Sequence, residues 1–182
     1  MDKLKTPILI KDFITPDEAF FFHSYAKLNL RNNAGGLSMA DDVVTNFDAS
    51  HYADPATEIL LVQKWKRMEE ICGIKLWPTY SFYRMYVNGS ELKKHRDRPS
   101  CEYSVTLHLG SDNVPWKMCA DGKCFELKPG EAIVYKGIDW EHYREGPYKG
   151  DQYSQVFMHY VAQDGPHKDW KYDKRLRIGL RR

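Results

Sequence analysis

From Trp77 to about Val161 the chain is a series of short apolar and aromatic runs separated by turn residues, and that texture limits the fold more than any other feature. Tyr80 to Val87 is one run, closed by Asn88-Gly89, and Glu102 to Leu109 is another, closed by Gly110. Trp116 to Leu127 reads as a hairpin, because Asp121-Gly122 at its centre suits a two-residue turn with positive φ. Pro129-Gly130 introduces Glu131 to Tyr135, and Ser154 to Val161 is the last long strand. Evenly spaced strands that follow a helical start indicate helices packed on a β-sandwich or barrel.

The helical start is marked by its own signals. After a short strand over Pro7 to Ile10, Thr15-Pro16-Asp17-Glu18 combines a capping Thr, Pro at the first helical position and Glu at the third. The helix that follows carries Ala19 to Leu30. Asn32-Asn33-Ala34-Gly35-Gly36 opens a segment without periodicity to about Tyr52, a length that suits a lid or binding loop. A second helix begins at Asp54-Pro55, carries Ile59, Leu60, Val62, Trp65, Met68 and Ile71 at helical spacing, and ends at Gly73.

At 182 residues the chain fits one domain, here expected over residues 1–166. Residues 167–182 form a basic tail, with seven basic and two acidic residues from Lys168, and read as a solvated end. Lys and Arg exceed Asp and Glu by only two (27 − 25), so nucleic acid is not indicated as a partner. No apolar run approaches about 18 residues and no signal-peptide pattern opens the chain, so no membrane contact and a cytoplasmic location are expected. Aromatics at 14% favour a β-rich fold around a lined cavity. The turn between Cys119 and Cys124 sets them opposite each other, able to bridge or to supply two metal ligands; reduced thiols are the expected state in a cytosolic chain.

His95-Arg96-Asp97, answered by His142 forty-five residues past the Asp, carries the chemistry. Strand residues alternate faces, so His95 and Asp97 point the same way if they lie on a strand. A second His from a distant strand completes two imidazoles and one carboxylate on one side of a metal. That facial triad leaves open positions for a bidentate cosubstrate and O₂, which suits non-haem Fe(II) chemistry.

The flanking segments resemble prolyl-4-hydroxylase-type members of the Fe(II)/2-oxoglutarate-dependent oxygenases. Phe13-Ile14-Thr15-Pro16-Asp17-Glu18 looks like their entry helix, and Tyr86-Val87-Asn88-Gly89 before His95-Arg96-Asp97 resembles their Y-x-x-G segment ahead of H-x-D. Leu127-Lys128-Pro129-Gly130-Glu131-Ala132-Ile133-Val134-Tyr135 is similar to the turn and strand before the distal histidine, and Gln155-Val156-Phe157-Met158-His159-Tyr160 to the closing strand. The likeness covers roughly residues 8–162. It implies a β-rich α+β fold: a double-stranded β-helix (jelly-roll, cupin-like) core with the N-terminal helices packed on it. It implies Fe(II) held by His95, Asp97 and His142, with 2-oxoglutarate as cosubstrate and ascorbate as a candidate reductant. The activity implied is hydroxylation of an unactivated C–H bond with O₂, on a small-molecule or peptide substrate, prolyl hydroxylase-like activity included. Asp97 favours hydroxylation, because related halogenating enzymes carry a small residue there. The alternative is a non-catalytic jelly-roll binding module.

One position departs from the resemblance. About ten residues past the distal histidine these enzymes place a Lys or Arg for the far carboxylate of 2-oxoglutarate, and here that place is Gln152. Gln carries no charge, and charge-assisted hydrogen bonds are about twice as strong as neutral ones. Arg144 is the leading substitute: two residues past His142, it shares the metal-facing side if the strand continues. Lys149 and Arg84 are weaker candidates. His108 stands where the family has a cosubstrate-binding phenol, and Tyr86, nine before His95, matches a tyrosine that hydrogen-bonds the cosubstrate. The other histidines, His23, His51, His159 and His167, are expected to be structural or on the surface. Arg98 either meets an acidic substrate group or pairs with a nearby Glu at the surface.

Overall fold

A computed structural model describes residues 2–32 and 44–180. Its elements are β1 (Ile8–Ile10), α1 (Pro16–Asn32), β2 (Val44–Tyr52), α2 (Pro55–Gln63), α3 (Trp65–Cys72), β3 (Leu76–Leu92), β4 (Tyr103–Ser111), β5 (Met118–Ala120), β6 (Lys123–Phe125), β7 (Ala132–Tyr135), β8 (His142–Arg144) and β9 (Tyr153–Ala162). Short 3-10 segments cover Pro99–Cys101 and Lys168–Lys174. The strands form a six-stranded antiparallel sheet, ordered β1-β7-β4-β9-β3-β2, and a three-stranded sheet, β6-β5-β8. The fold is the double-stranded β-helix, with the helices against the outer face of the larger sheet.

Strand alternation divides the side chains between two cores. On the outer face, Tyr83, Met85, Val105, Leu107, Val156, Met158 and Tyr160 pack with Phe13, Leu60, Leu61 and Met68 from the helical layer. On the inner face, Tyr86, Ile133, Tyr135 and Tyr153 meet Trp116 and Met118 from the smaller sheet's side. The helix starts are capped as the sequence predicts. Thr15 N–H donates to the Glu18 carboxylate at 2.7 Å while Glu18 N–H donates to Thr15 Oγ1 at 3.2 Å. Asp54 accepts from Ala56 N–H at 3.0 Å, with Pro55 at the first helical position.

Four local expectations are corrected. The second helix is two: Lys64 (φ −87°, ψ −3°) ends α2, and α3 turns so that Trp65 Nε1 donates to Leu76 O at 2.5 Å. As a result Ile59 and Val62 face outward. The second half of the long segment before Tyr52 is strand β2; the lid reading for residues 33–43 lies outside the described residues. Asn88-Gly89 does not end its strand, because β3 bulges through it. From Glu91 to Tyr86 it advances five residues while β2 advances two, from Thr45 to Phe47, and Gly89 takes φ 81°. Finally, Cys119 and Cys124, expected as reduced thiols, face each other across the β5–β6 hairpin and are joined as a disulfide.

The basic tail is not a solvated end. Its 3-10 segment packs on β3, and Arg175 is buried, donating to Glu58 at 2.5 and 3.1 Å and to Thr79 O at 2.8 Å. Tyr172, Asp173 and Lys174 all take left-handed φ (54°, 54° and 61°), which costs about 1–2 kcal/mol per residue for side chains with a Cβ. Contacts on either side hold that strain in place. Cutting the Arg175–Glu58 pair strands a carboxylate whose side chain is 2% exposed. Arg175→Ala should therefore lower stability by about 3–5 kcal/mol and Tm by roughly 10 °C, read from urea and thermal unfolding. A loss under about 1 kcal/mol would mean that the segment contributes little to the folded chain.

Candidate active site

The site begins where the chain leaves β3 and crosses to the smaller sheet. His95 and His142 form an antiparallel bridge that exchanges both backbone bonds, His95 N–H to His142 O at 3.1 Å and His142 N–H to His95 O at 2.9 Å. Directly opposed residues in such a pair carry their side chains on one face. The two imidazoles accordingly lie 4.1 Å apart. Each Nδ1 contacts a backbone carbonyl, Lys93 O at 2.7 Å for His95 and Trp140 O at 3.0 Å for His142. A carbonyl can only accept, so the proton sits on Nδ1 and the lone pair on Nε2 faces inward. Asp97 completes the set, its Oδ1 3.6 Å from His95 Nε2 and 3.4 Å from His142 Nε2. Donors about 2.1 Å from a metal and at right angles lie about 3 Å from one another, so both Asp97–histidine separations are within a few tenths of an ångström of that spacing. The segment after His95 is not the regular strand expected, yet the three donor atoms converge.

Asp97 is held by its surroundings. Its N–H donates to Gly137 O at 2.9 Å, and Gly137 is needed there: a Cβ would come within 2.4 Å of Asp97 Oδ2 and 2.5 Å of Cys101 O. Ser104 Oγ reaches Asp97 Oδ2 at 3.4 Å and His159 Nδ1 at 2.9 Å, a relay that orients the oxygen turned away from the imidazoles. Burial pushes the Asp97 carboxyl up, but the imidazoles gathered around it, His142 first, then His159 and His95, outweigh burial as they take up protons and leave the pKa below the ordinary value. An ionised carboxylate is the form a metal requires. Burial drives His159 down to about 4, so it is neutral.

A cavity of about 320 Å³ opens on the triad. Its walls follow the register of the larger sheet. Nearest the triad is the sheet row His159–Ser104–Tyr135, next Phe82–Phe157–Thr106–Ile133, then Arg84–Gln155–His108, and of these His159, Tyr135, Phe82, Phe157 and Arg84 line the cavity. The middle row is apolar apart from Thr106, and the outer two are polar. At the deep end Arg144 crosses from the smaller sheet, donating to Trp116 O at 2.5 Å and to Gln155 Oε1, its guanidinium over the rings of Trp116 (4.5 Å) and Tyr153 (4.3 Å). Gln155 Nε2 donates to Tyr86 Oη at 3.2 Å. His108 donates through Nδ1 to Leu127 O at 2.7 Å and stacks on Tyr153 at 4.1 Å. Arg144 Nε and His108 Nε2 are buried with no hydrogen-bond partner among the described residues. Buried donors and acceptors seldom stay unpaired; a carboxylate there would meet the Arg144 cation, whereas His108 Nε2, with the ring proton on Nδ1, accepts and calls for a donor.

The structure thus brings His95, Asp97 and His142 together and groups Arg144, Tyr86 and His108 two rows deeper. Gln152 is placed differently. It precedes β9, and its carbonyl accepts from Tyr148 Oη at 3.0 Å; the glutamine turned into the interior is Gln155. Of the basic candidates Arg84 lines the cavity, whereas the buried Arg144 lies behind its wall and Lys149 is exposed outside it. Arg98 pairs with Asp173, not with a surface Glu. The sequence reading missed His159, Ser104 as its relay, Gly137 and Gln155. Alternation along β9 carried the signal for two of them, since Gln155, Phe157 and His159 share a face.

No family model matches the sequence, and no curated protein sequence matches it. Solved structures do match by shape. A prolyl-4-hydroxylase of Pseudomonas putida superposes over 87% of this chain and 95% of its own, with TM-score 0.62 and 16% identity. The viral collagen prolyl hydroxylase of Paramecium Bursaria Chlorella virus-1, as its 2OG complex, covers 87% and 97%, with TM-score 0.62 and 12% identity. HygX of Streptomyces hygroscopicus, with nickel and 2-oxoglutarate bound, covers 87% and 83%, with TM-score 0.64 and 9% identity. At these identities the likeness establishes the shared fold.

Burial pushes the His108 pKa down to about 4 from the ordinary 6.5. The unfolded chain therefore binds a proton that the folded chain refuses, and stability is full above about pH 6.5 and falls as pH drops towards 4. For one histidine shifted this far the loss is on the order of 3 kcal/mol. His108→Gln, which takes up no proton, should flatten the fall in urea midpoint of the metal-free protein between pH 7 and 4.5. An unchanged slope would show that His108 is protonated without cost.

Proposed function

We propose that the chain is an Fe(II)- and 2-oxoglutarate-dependent oxygenase that hydroxylates an unactivated C–H bond of a small molecule or peptide. The observation that carries this reading is the convergence of His95 Nε2, His142 Nε2 and Asp97 Oδ1 on one cavity of a double-stranded β-helix, with both Nδ1 protons fixed on carbonyls. Two imidazoles and one carboxylate leave coordination positions for cosubstrate and O₂. Bound iron and 2-oxoglutarate supply an oxidant for C–H hydroxylation while the cosubstrate is decarboxylated to succinate.

The chain's own residues bind, orient and exclude water. Arg144 lies two residues beyond His142 on β8, on the same face, so about 6.6 Å further along the strand at about 3.3 Å per residue. A five-carbon diacid chelating at one end has a comparable reach. Arg144 would hold the far carboxylate, with the Tyr86 hydroxyl as a neighbouring donor and His108 stacked on Tyr153 behind them. Phe82, Phe157 and Leu92 line the cavity beside the triad, where an apolar wall keeps water from the reacting centre. A prolyl hydroxylase-like substrate is the finer candidate, supported by the motif order and by the fold shared with two prolyl hydroxylases.

Mixing the protein with Fe(II) and 2-oxoglutarate under anaerobic conditions should give the visible charge-transfer band of the chelate, and His95→Ala or Asp97→Ala should abolish it. Arg144→Ala should weaken 2-oxoglutarate binding at least tenfold, the range of a lost charged hydrogen bond, while Lys149→Ala changes it less than about twofold. Equal effects would remove the Arg144 assignment. No band in the wild-type chain would leave a binding module without turnover.

A further inference from the structure

The rim of the cavity narrows the kind of molecule that enters it. Among the described residues of the lining, the cations are Arg84, Arg96 and Arg98, and the one carboxylate is Asp97, already assigned to the metal. Arg98 stands next to that ligand with its side chain 40% exposed. Its guanidinium is fixed from two directions. Two N–H groups grip Asp173 at 2.7 and 2.9 Å, and its plane lies 4.6 Å from the Tyr80 ring. A guanidinium has five N–H donors, so three remain for a ligand. Tyr80 in turn packs 4.6 Å from His159, beside the triad.

Asp173 is an unusual residue to spend on a rim arginine. It is fully buried, takes a hydrogen bond from the Tyr52 hydroxyl at 2.5 Å, and sits in a left-handed backbone conformation. The C-terminal segment has a separate anchor two residues later, where Arg175 binds Glu58 and Thr79. What Asp173 does is immobilise Arg98, so that little rotamer freedom is lost when a ligand arrives.

We propose that this site takes an organic acid: Arg98, positioned by Asp173, reads the carboxylate, and an apolar body lies along Tyr80, Phe82 and Phe157. A planar fork matches a carboxylate, and these aromatic walls offer little to a polar chain. The hydroxylation of that acid rests on the oxygenase reading above; its recognition does not.

The test uses matched pairs, 3-phenylpropanoate with 3-phenylpropanamide, hexanoate with hexanamide, and N-acetylphenylalanine with its amide. Binding to the full chain is measured by calorimetry with Mn(II) and saturating 2-oxoglutarate, so that the metal and cosubstrate places are filled, and again without them. At least one acid should bind ten or more times tighter than its amide. Arg98→Gln should erase that ratio, and Arg98→Lys should retain part of it. Asp173→Asn should shrink the ratio threefold or more in protein that thermal melting shows to be folded. Acids and amides binding alike, no acid binding, or a ratio that survives Arg98→Gln would overturn the proposal. Failure of 2-oxoglutarate to bind, with the acid preference intact, would instead sink the oxygenase reading alone.

Discussion

Two backbone hydrogen bonds join His95 to His142, and the rest of the site is arranged around them. A metal tolerates errors of only tenths of an ångström in its ligands, whereas side chains on independent loops wander by more than that. Pairing the two histidines in a ladder fixes both Cα positions, and a carbonyl on each Nδ1 then fixes each ring. Folding therefore orders the ligands in advance. The cost of the arrangement is its dependence on register: a slip of one residue would turn His142 to the opposite face and Arg144 with it. The strand next to β8 guards against this, since Ala120 pairs with His142 and Met118 with Arg144, and the Cys119–Cys124 bond closes the hairpin behind them.

The polarity of the interior follows the same logic. Rows of buried polar side chains destabilise a core unless they satisfy one another. Near the triad they do, through His159, Ser104 and Asp97; at the deep end Arg144, Gln155 and Tyr86 do so in part. The apolar row of Phe82, Phe157 and Ile133 between them separates two charged ends. An interior polar at both ends and greasy in the middle is complementary to a ligand built the same way, with one end for the metal and one for the guanidinium. Arg144 Nε, buried without a hydrogen-bond partner among the described residues, is at the end where such a ligand would finish.

Much of this was legible in the residues, for identifiable reasons. Strands bounded by turn residues and two marked helix starts gave the layers, because alternation and capping are local. The triad was legible because metal ligation restricts residue type. What was not legible depends on pairing between distant segments. Nothing in Asn88-Gly89 distinguishes a turn from a bulge until β2 lies alongside, and nothing in α2 announces the break at Lys64 until Trp65 finds Leu76 O. Counting ten residues from His142 led to Gln152, which precedes β9 and offers only its carbonyl to Tyr148; the glutamine buried on the sheet is Gln155. The charge run from Lys168 looked solvated because composition does not reveal that Glu58 and Thr79 leave a place for Arg175.

That last case bears on how the mouth of the site is made. A double-stranded β-helix supplies its own walls, but the open end has no sheet to position side chains, and residues there ordinarily belong to mobile loops. Here the C-terminal segment does that work. Its buried pair with Glu58 fixes it to the helical layer, its left-handed turn carries Asp173 under the rim, and Asp173 holds Arg98 against Tyr80. Each step is a short contact between buried or half-buried groups, so the order of the core extends to Arg98, adjacent to Asp97 of the triad. The terminal segment can then change without disturbing the ladder that holds His95 and His142, because the two share no backbone hydrogen bond among the described residues. Separating the parts that must stay fixed from those that can vary is what allows one scaffold to present the same triad to different molecules.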